Sequence, residues 1–360
     1  MTVTSRQRID CALRHIEPDR TPIFEYVLLA PVADQLLGRP VCDYVGGIVG
    51  WSLLMDELGW EGAVHKYALD QLDLACSLGH DMMYVVPNPA PPCDTSRPAV
   101  PDAVPDDPVD RVALRNRRAE ETAAPPDEDT FLIYQFLRDE MEVRGVDLPI
   151  LAPAYAHGVW TDVDLMQTMV LEPEVAARHF HLATDRTLMR VDQYCRLGIE
   201  QVGVGGDFAG NRPLIAPPSY RQFIMPEVRR VSQRLHEGGA WAVNASDGDL
   251  WSVLDDFLIG CEVDGYLEID QSAGMDLRRL KEAYGDRIAL YGNIDCGNLL
   301  SYGSEDGIRR ATIECVEAGM GSGGHIFCVS NAITSSVPAR NYVTMLNAYR
   351  EVFGLPKFRL

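Results

Sequence analysis

Long apolar runs and basic residues are what this chain lacks most clearly. No run reaches 18 apolar residues, and the longest candidate, residues 44–55, is broken by glycines. A helix needs about 20 apolar residues to cross a bilayer, so we predict no membrane span. Lys and Arg number 32 against 53 Asp and Glu, a formal net charge of −21. Nucleic-acid binding needs a basic face that displaces counterions, so this charge argues against a nucleic-acid partner.

Several short motifs are also absent. The nine cysteines are scattered singly with no CxxC pair, which indicates reduced and mostly buried thiols. No GxGxxG follows the first predicted strand, which weakens a dinucleotide-binding open sheet. No HxxxH pair occurs, which removes one common zinc motif. The charged N-terminal pattern does not fit a secretory signal, and we expect a soluble, cytoplasmic protein.

Compact apolar segments followed by helix-period segments recur along the chain. Near-continuous hydrophobic runs of this kind are typical of strands buried on both faces of a parallel sheet. The eight predicted strands are residues 22–27, 81–87, 148–155, 199–207, 240–246, 264–270, 287–295 and 325–332. Eight strand–helix units predict an α/β fold, a (β/α)8 TIM barrel forming a single domain over residues 1–360. A doubly wound open sheet is the alternative.

One stretch interrupts this alternation. Residues 88–128 are rich in Pro, Asp and Ala, a composition that resists helices and central strands. We therefore predict an insertion at about 88–130, with a small hairpin around Arg111–Leu114. It would serve as a lid, an oligomer contact or a plain surface insertion.

Active sites of such barrels lie at the carboxyl ends of the strands, and polar residues follow most of the predicted strands. A ring of carboxylates there suits proton transfer, a divalent metal, or a cationic or hydroxylated substrate. Our catalytic candidates are Asp207, Asp247 and Tyr155. Our substrate-binding candidates are Glu25, Tyr26, His157, Asn244, Glu268, Asn293 and Asn331. Simpler alternatives exist, because Asp249 and Asp270 suit helix caps, Asn293 and Asp295 suit a turn, and His157 suits a hydrogen-bonded loop.

Four segments resemble the uroporphyrinogen decarboxylase superfamily, which includes cobamide-dependent methyltransferases. They are "SRQRIDCALRHIEPDRTPIFE", the stretches at 205–231 and 247–295, and "GGHIFCVSNAITSSVPARNYVTMLNAYREVFG". The resemblance implies a (β/α)8 barrel and a homodimer. The decarboxylases carry an arginine-rich segment after the first strand, whereas "EYVLLAPVADQLLGRP" has no arginine before Arg39. The methyltransferase branch fits better, and it implies a corrinoid carried on a partner protein.

Many members of that branch hold zinc with a His-x-Cys pair after strand five and a Cys after strand eight. By register on Gly248, the resemblance places Ala245, Asp247 and Asn331 at those positions. Cys328 comes three residues too early and, by strand alternation, is expected on the other side. The usual zinc site is therefore expected to be lost and no metal is predicted. A weaker oxygen-ligand site using Asp247 with Glu25 or Asp207 stays open.

Three functions follow from this pattern. The first is a corrinoid-linked methyltransferase that demethylates a small O- or N-methylated donor. Its general acid at the barrel mouth would be Asp247, Tyr26 or Tyr155. The second is a metal-independent decarboxylase or lyase of a small carboxylate. The third is a non-enzymatic ligand-binding relative, in which Asp247, Asp207 and Asn331 would not share a pocket.

Overall fold

Seven parallel strands form one sheet whose spatial order is the chain order, β1 to β7. The computed structural model describes residues 3–42, 48–92 and 104–360. The strands are β1 (Met83–Tyr84), β2 (Ile150–Pro153), β3 (Gln201–Gly205), β4 (Trp241–Ala245), β5 (Gly265–Leu267), β6 (Ala289–Tyr291) and β7 (His325–Ile326). Each lies inside a predicted strand and is shorter than it. The prediction of a parallel α/β sheet is confirmed.

Helices occupy the segments between the strands. They are α1 (Ser5–Leu13), α2 (Ala30–Leu37), α3 (Ile48–Leu78), α4 (Pro108–Glu121), α5 (Leu132–Arg144), α6 (Val163–Leu171), α7 (Pro173–Arg196), α8 (Pro217–Ser219), α9 (Met225–Glu237), α10 (Leu277–Tyr284), α11 (Glu305–Gly319) and α12 (Ala339–Val352). Thr4 caps α1 and forms a capping box with Gln7. In the described ranges, no helix is both long enough and apolar enough to cross a membrane. The eight described cysteines are free thiols, most of them buried.

The apolar core has two layers, because alternate residues of a strand point to opposite faces of the sheet. The inner layer is a separate cluster, and residues of α1 pack into it. Its members include Ile9, Leu13, Phe24, Leu151, Val243, Leu267, Tyr291, Ile326 and Cys328. The outer layer joins the other faces of the strands to the helices. The sheet is therefore curled, with the inner cluster on its concave side.

Cys328 belongs to this inner cluster, so the expectation that it faces the other side is wrong. The chain from 329 to 332 is not a regular strand, and the two-residue alternation stops before Asn331.

The first predicted strand, residues 22–27, is not a regular strand of the sheet. Its backbone makes an isolated parallel bridge from Ile23 to Phe327, and Leu28, the next residue after this segment, makes one to Ile333. The Phe24 amide donates to the Phe327 carbonyl at 3.2 Å, and the Asp81 amide donates to the Ile23 carbonyl at 2.7 Å. This segment therefore lies between the residues that follow β7 and those that precede β1.

The predicted insertion is corrected in part. Residues 93–103 lie outside the described residues. Helix α4 occupies the position of the predicted hairpin, because Asp107 caps its first turn and Pro108 stands at its first position. The average composition of residues 88–128 does not show that α4 is a local run of residues that favour a helix.

Candidate active site

A cavity of about 390 Å³ lies at the carboxyl ends of the strands, the edge at which parallel α/β folds bind their ligands. Its volume falls in the usual range for small-molecule sites. The lining residues follow the first segment, β2, β3, β4 and β5. They are Tyr26, Tyr155, Ala156, Gly158, Trp160, Gly206, Asp207, Ala245 and Glu268. Among these described residues none is Lys, Arg or His.

Asp207 and Glu268 supply carboxyl groups to the lining of this cavity, and Asp247, which is not a lining residue, contacts Asp207. The Asp247 backbone amide donates to Oδ1 of Asp207 at 3.2 Å. Burial raises the pKa of Asp247 to about 7, and the nearby Asp207 charge adds to this rise. Burial also raises the pKa of Glu268 well above its usual value, with the Asp247 and Asp207 charges adding to it. Burial raises the pKa of Asp207, while the Asp247 amide opposes this. The cluster therefore holds protons near neutral pH.

Asn331 fixes one oxygen of Asp247. Its Nδ2 donates to Oδ2 of Asp247 at 2.6 Å, and its own Oδ1 accepts from the Ala332 amide at 2.5 Å. Within the described residues, Oδ1 of Asp247 accepts no hydrogen bond. This oxygen is therefore free to make a further hydrogen bond.

Tyrosine side chains form another part of the wall. The Tyr26 and Tyr84 rings lie 4.4 Å apart between centroids. The Tyr155 hydroxyl lies near those two hydroxyls without a hydrogen bond of standard geometry. A Cβ at Gly203 would come within 2.3 Å of the Tyr155 hydroxyl, so glycine makes room for it. Burial raises the pKa of Tyr26 and of Tyr155, which keeps both phenols neutral.

The loops after β2 and β3 are held together at the mouth. The amides of Val159 and Trp160 both donate to the Asp207 carbonyl, at 2.8 and 3.0 Å. A Cβ at Gly206 would lie 2.8 Å from the Gly158 nitrogen, so the two backbones touch. Trp160, with 52% of its surface exposed, consequently stands at the rim of the cavity.

Three predicted site residues do not line this cavity and bond other parts of the chain, and Asn293 lines a separate cavity. His157 Nε2 pairs with the Thr184 hydroxyl at 2.8 Å, and burial lowers its pKa to about 4. Asn244 Nδ2 donates to the Phe257 carbonyl at 2.9 Å. Asn293 Nδ2 donates to the Met275 carbonyl at 3.1 Å. Their substrate contacts stay predictions.

Glu25 faces a second, smaller cavity that includes His80 and Tyr67. Its Oε2 accepts from the Val329 amide at 3.4 Å, and burial raises its pKa to about 8. This places it apart from Asp247 and Asp207, and its substrate role stays a prediction.

The simpler alternatives fit three acidic residues: Asp270 and Asp295 cap short helices, and Asp249 stabilises a turn. Asp270 accepts from the Ser272 and Ala273 amides, Asp249 from the Trp251 amide, and Asp295 from the Asn298 amide. Tyr84 and Trp160 were missing from the predicted site. Tyr84 stands at the end of the second predicted strand, and this position was its available signal.

The residues at the expected zinc positions do not fit zinc. Ala245 offers no donor atom, and the amide nitrogen of Asn331 points at Asp247 as its hydrogen-bond partner. Zinc sites of this kind need thiolate or imidazole ligands. Across residues 3–42, 48–92 and 104–360, no group of three or more His, Cys, Asp or Glu is placed to hold a metal ion.

Comparison with known proteins decides the family. The model of the uroporphyrinogen decarboxylase (URO-D) family matches residues 149–352, more than half of the chain. The chain belongs to the uroporphyrinogen decarboxylase family. The matched range contains β2 to β7 and the acidic residues of the cavity.

The curated relatives are distant. Uroporphyrinogen decarboxylase of Syntrophotalea carbinolica is 25% identical over 177 residues, 49% of this chain and 49% of its own length. The Coxiella burnetii enzyme is 23% identical over 270 residues, 67% of this chain and 69% of its own length. The chain thus matches about half of the length of the Syntrophotalea carbinolica enzyme.

The likeness to one solved structure extends along the chain. A methyltransferase from Methanosarcina mazei superposes with a TM-score of 0.69 at 17% identity, covering 98% of this chain and all of that one. At this identity the match shows a shared fold.

Proposed function

We propose that the protein is a corrinoid-linked methyltransferase that demethylates a small O- or N-methylated donor. The lining of the cavity carries this proposal, because it combines carboxyl groups and phenols with no basic residue among its described members. A site that holds a carboxylate substrate needs a cation to pair with it. Adding a carboxylate beside Asp207 and Glu268 would instead add like charge.

The residues of the cavity divide the chemistry among them. A donor bound there would receive a proton from Asp247 Oδ1 on its leaving oxygen or nitrogen. The electron pair of the broken bond to carbon stays on that atom, and Asp247 regains a proton from water. Tyr26 and Tyr155, neutral in the wall, orient the donor. A corrinoid on a partner protein would supply the nucleophilic cobalt(I) to which the methyl group is transferred.

The cavity has room for a small donor but not for a corrinoid ring, which would approach from the mouth beside Trp160.

We also infer that residues 22–29 serve as the eighth strand and close a (β/α)8 barrel. Two observations support closure: backbone bonds join this segment to Phe327 and Asp81, and Phe24 lies in the inner cluster. In a closed barrel, Tyr26 faces the same cup as Asp207 and Asp247.

A metal-independent decarboxylase is the second candidate. It is favoured by the curated relatives, which are uroporphyrinogen decarboxylases. In that reaction the acid form of Asp247 would protonate the carbanion left by carbon dioxide. The contacts among Asp207, Asp247 and Asn331 weigh against a non-enzymatic relative, which was expected to lack a shared pocket.

Methyl transfer to free cob(I)alamin tests the proposal. The purified protein is incubated without oxygen with O- and N-methylated donors, and methylcobalamin is followed by visible absorption. We expect Asp247→Asn to lower kcat about 100-fold or more, because the acid is lost. Asp249→Asn, which changes a cap in the same loop, is the matched control and should retain activity. Carbon dioxide release from a carboxylate, with no methylcobalamin from any donor, would establish the second candidate instead.

A further inference from the structure

The acidic cluster of the cavity has no counter-cation within the described chain. Asp207 and Glu268 line one space, Asp247 contacts Asp207, and no lining residue described carries positive charge. The nearby charges that shift these carboxyl groups are all carboxylates. Asp81, another buried carboxylate, is paired with the cations of Arg20 and Arg8. The cavity is therefore built without the positive charge that its acids would pair with.

Aromatic rings complete the wall around this space. Tyr26, Tyr155 and Trp160 line it together with the carboxyl groups. The face of an aromatic ring attracts a cation, most strongly for Trp and when the cation has shed water. The remaining lining residues are Gly or Ala, which leave room for bulky methyl groups. Carboxyl groups, aromatic faces and small residues together suit an organic ammonium ion.

We propose that the methyl donor is an N-methylated ammonium compound rather than a methyl ether. This inference rests on the proposed function and selects among its donors. A nitrogen donor can hold a full positive charge in the cavity, whereas an ether oxygen stays neutral near pH 7. The bound cation would face Asp207 and Glu268 while the rings cover its methyl groups.

The protons and electrons of the transfer balance for such a donor. A neutral N-methylated amine takes the proton of Asp247 on its nitrogen, which leaves an ammonium ion beside a carboxylate. Loss of the methyl group from this ion would break the C–N bond and leave the electron pair of that bond on nitrogen. The product is a neutral amine, and no further proton is needed.

Binding of a matched ligand pair tests the charge preference. Choline and its neutral isostere dimethylbutanol, in which carbon replaces the quaternary nitrogen, are titrated into the purified chain by calorimetry without corrinoid. We expect choline to bind at least about tenfold more tightly. The double variant Asp207→Asn/Glu268→Gln should lose this preference, and Asp249→Asn should keep it.

The aromatic contribution is tested at the rim. Trp160 is half exposed, so its replacement costs little core packing. Trp160→Ala should weaken choline binding about threefold or more, and Trp160→Phe should restore most of it. Dimethylbutanol binding should change much less in both variants.

The outcomes separate this inference from the proposed function. Equal affinity for choline and dimethylbutanol overturns the ammonium inference, even if methyl ethers are demethylated. Selective choline binding without methyl transfer from any N-methylated donor upholds the ligand class and overturns the methyltransferase. Selective binding together with methylcobalamin from N-methylated donors supports both.

Discussion

The proton on Asp247 is set by opposing contacts from residues far apart in the chain. Burial favours the neutral carboxyl group, and the neighbouring Asp207 charge acts in the same direction. Asn331, 84 residues away, opposes both because its amide donates to the carboxylate oxygen. The balance places the pKa of Asp247 at about 7. A small change at Asn331 should therefore change the fraction of acid present at neutral pH.

The pH profile of turnover gives the first prediction. Because the acid form is the active one, wild-type activity should fall as pH rises through about 7. Asn331→Ala removes the donor that stabilises the carboxylate, so this alkaline limb should move up by about one pH unit. The measurement is kcat against pH. Asn298→Ala, an exposed amide beside Asp295, is the control. A limb that stays in place or moves down would show that Asp247 is not the titrating acid.

The positions of single residues could be predicted where the end of a strand decided them. Asp207, Asp247 and Glu268 converge because carboxyl ends of parallel strands share one edge. Asn244 does not join them because its side chain points to the opposite face of β4 from those of Val243 and Ala245, which belong to the inner cluster. Its chemistry resembled that of a site residue, but alternation sends it toward Phe257. The residue type alone does not reveal to which face of the strand a side chain points, because that face is fixed only when the sheet is assembled.

At the scale of elements, the loop after β4 is positioned by contact with the loop after β3. Gly248 has φ of +93°, and a Cβ there would lie 2.1 Å from the Gly210 carbonyl oxygen. The amide of Asp249 donates to that same oxygen at 3.0 Å. The backbone contact between the loops therefore sets the place of Asp247 relative to Asp207.

A pair of glycine variants tests this contact. Gly248→Ala combines left-handed strain with a backbone clash, whereas Gly274→Ala, at φ of +89°, meets nothing within 4 Å. We expect Gly274→Ala to cost about 1–2 kcal/mol of unfolding free energy. Gly248→Ala should cost clearly more and should also lower kcat. Chemical denaturation and turnover measure the two effects. Equal costs would mean that the loops do not depend on this contact.

Prediction of elements failed where composition was averaged over a long stretch. Pro and Asp in residues 88–128 suggested irregular chain, yet Asp107 and Pro108 begin helix α4. Both residue types disfavour a helix interior but suit its first turn. Residues 22–29, which we infer to close the barrel, were hard to assign for a different reason. Its apolar run was visible, but the few backbone bonds that it makes depend on the edges of the finished sheet. The homodimer, the single domain and the cytoplasmic location stay predictions from the sequence.

At the scale of the molecule, the N-terminal segment is tied to the sheet through one buried carboxylate. Asp81, fully buried just before β1, accepts from both terminal nitrogens of Arg20 at 2.6 and 2.8 Å. It also accepts from the Ile23 amide at 3.1 Å and from the Ser5 hydroxyl at 3.0 Å. These bonds join α1 and the first segment to the sheet edge that closure requires.

The last prediction follows from this connection. Asp81→Asn leaves Arg20 without its charged partner, so we expect a loss of about 3–5 kcal/mol of unfolding free energy. Asp19→Asn, which breaks an exposed pair with Arg8, should cost about 1 kcal/mol or less. If residues 22–29 close the barrel, the amides of Phe24 and Phe327 should exchange hydrogen as slowly as those of β3 and β4 in the wild type. In Asp81→Asn they should exchange faster, with β3 and β4 less affected. Rapid exchange at both amides in the wild type would mean an open sheet, and Tyr26 would then have no fixed place beside Asp207.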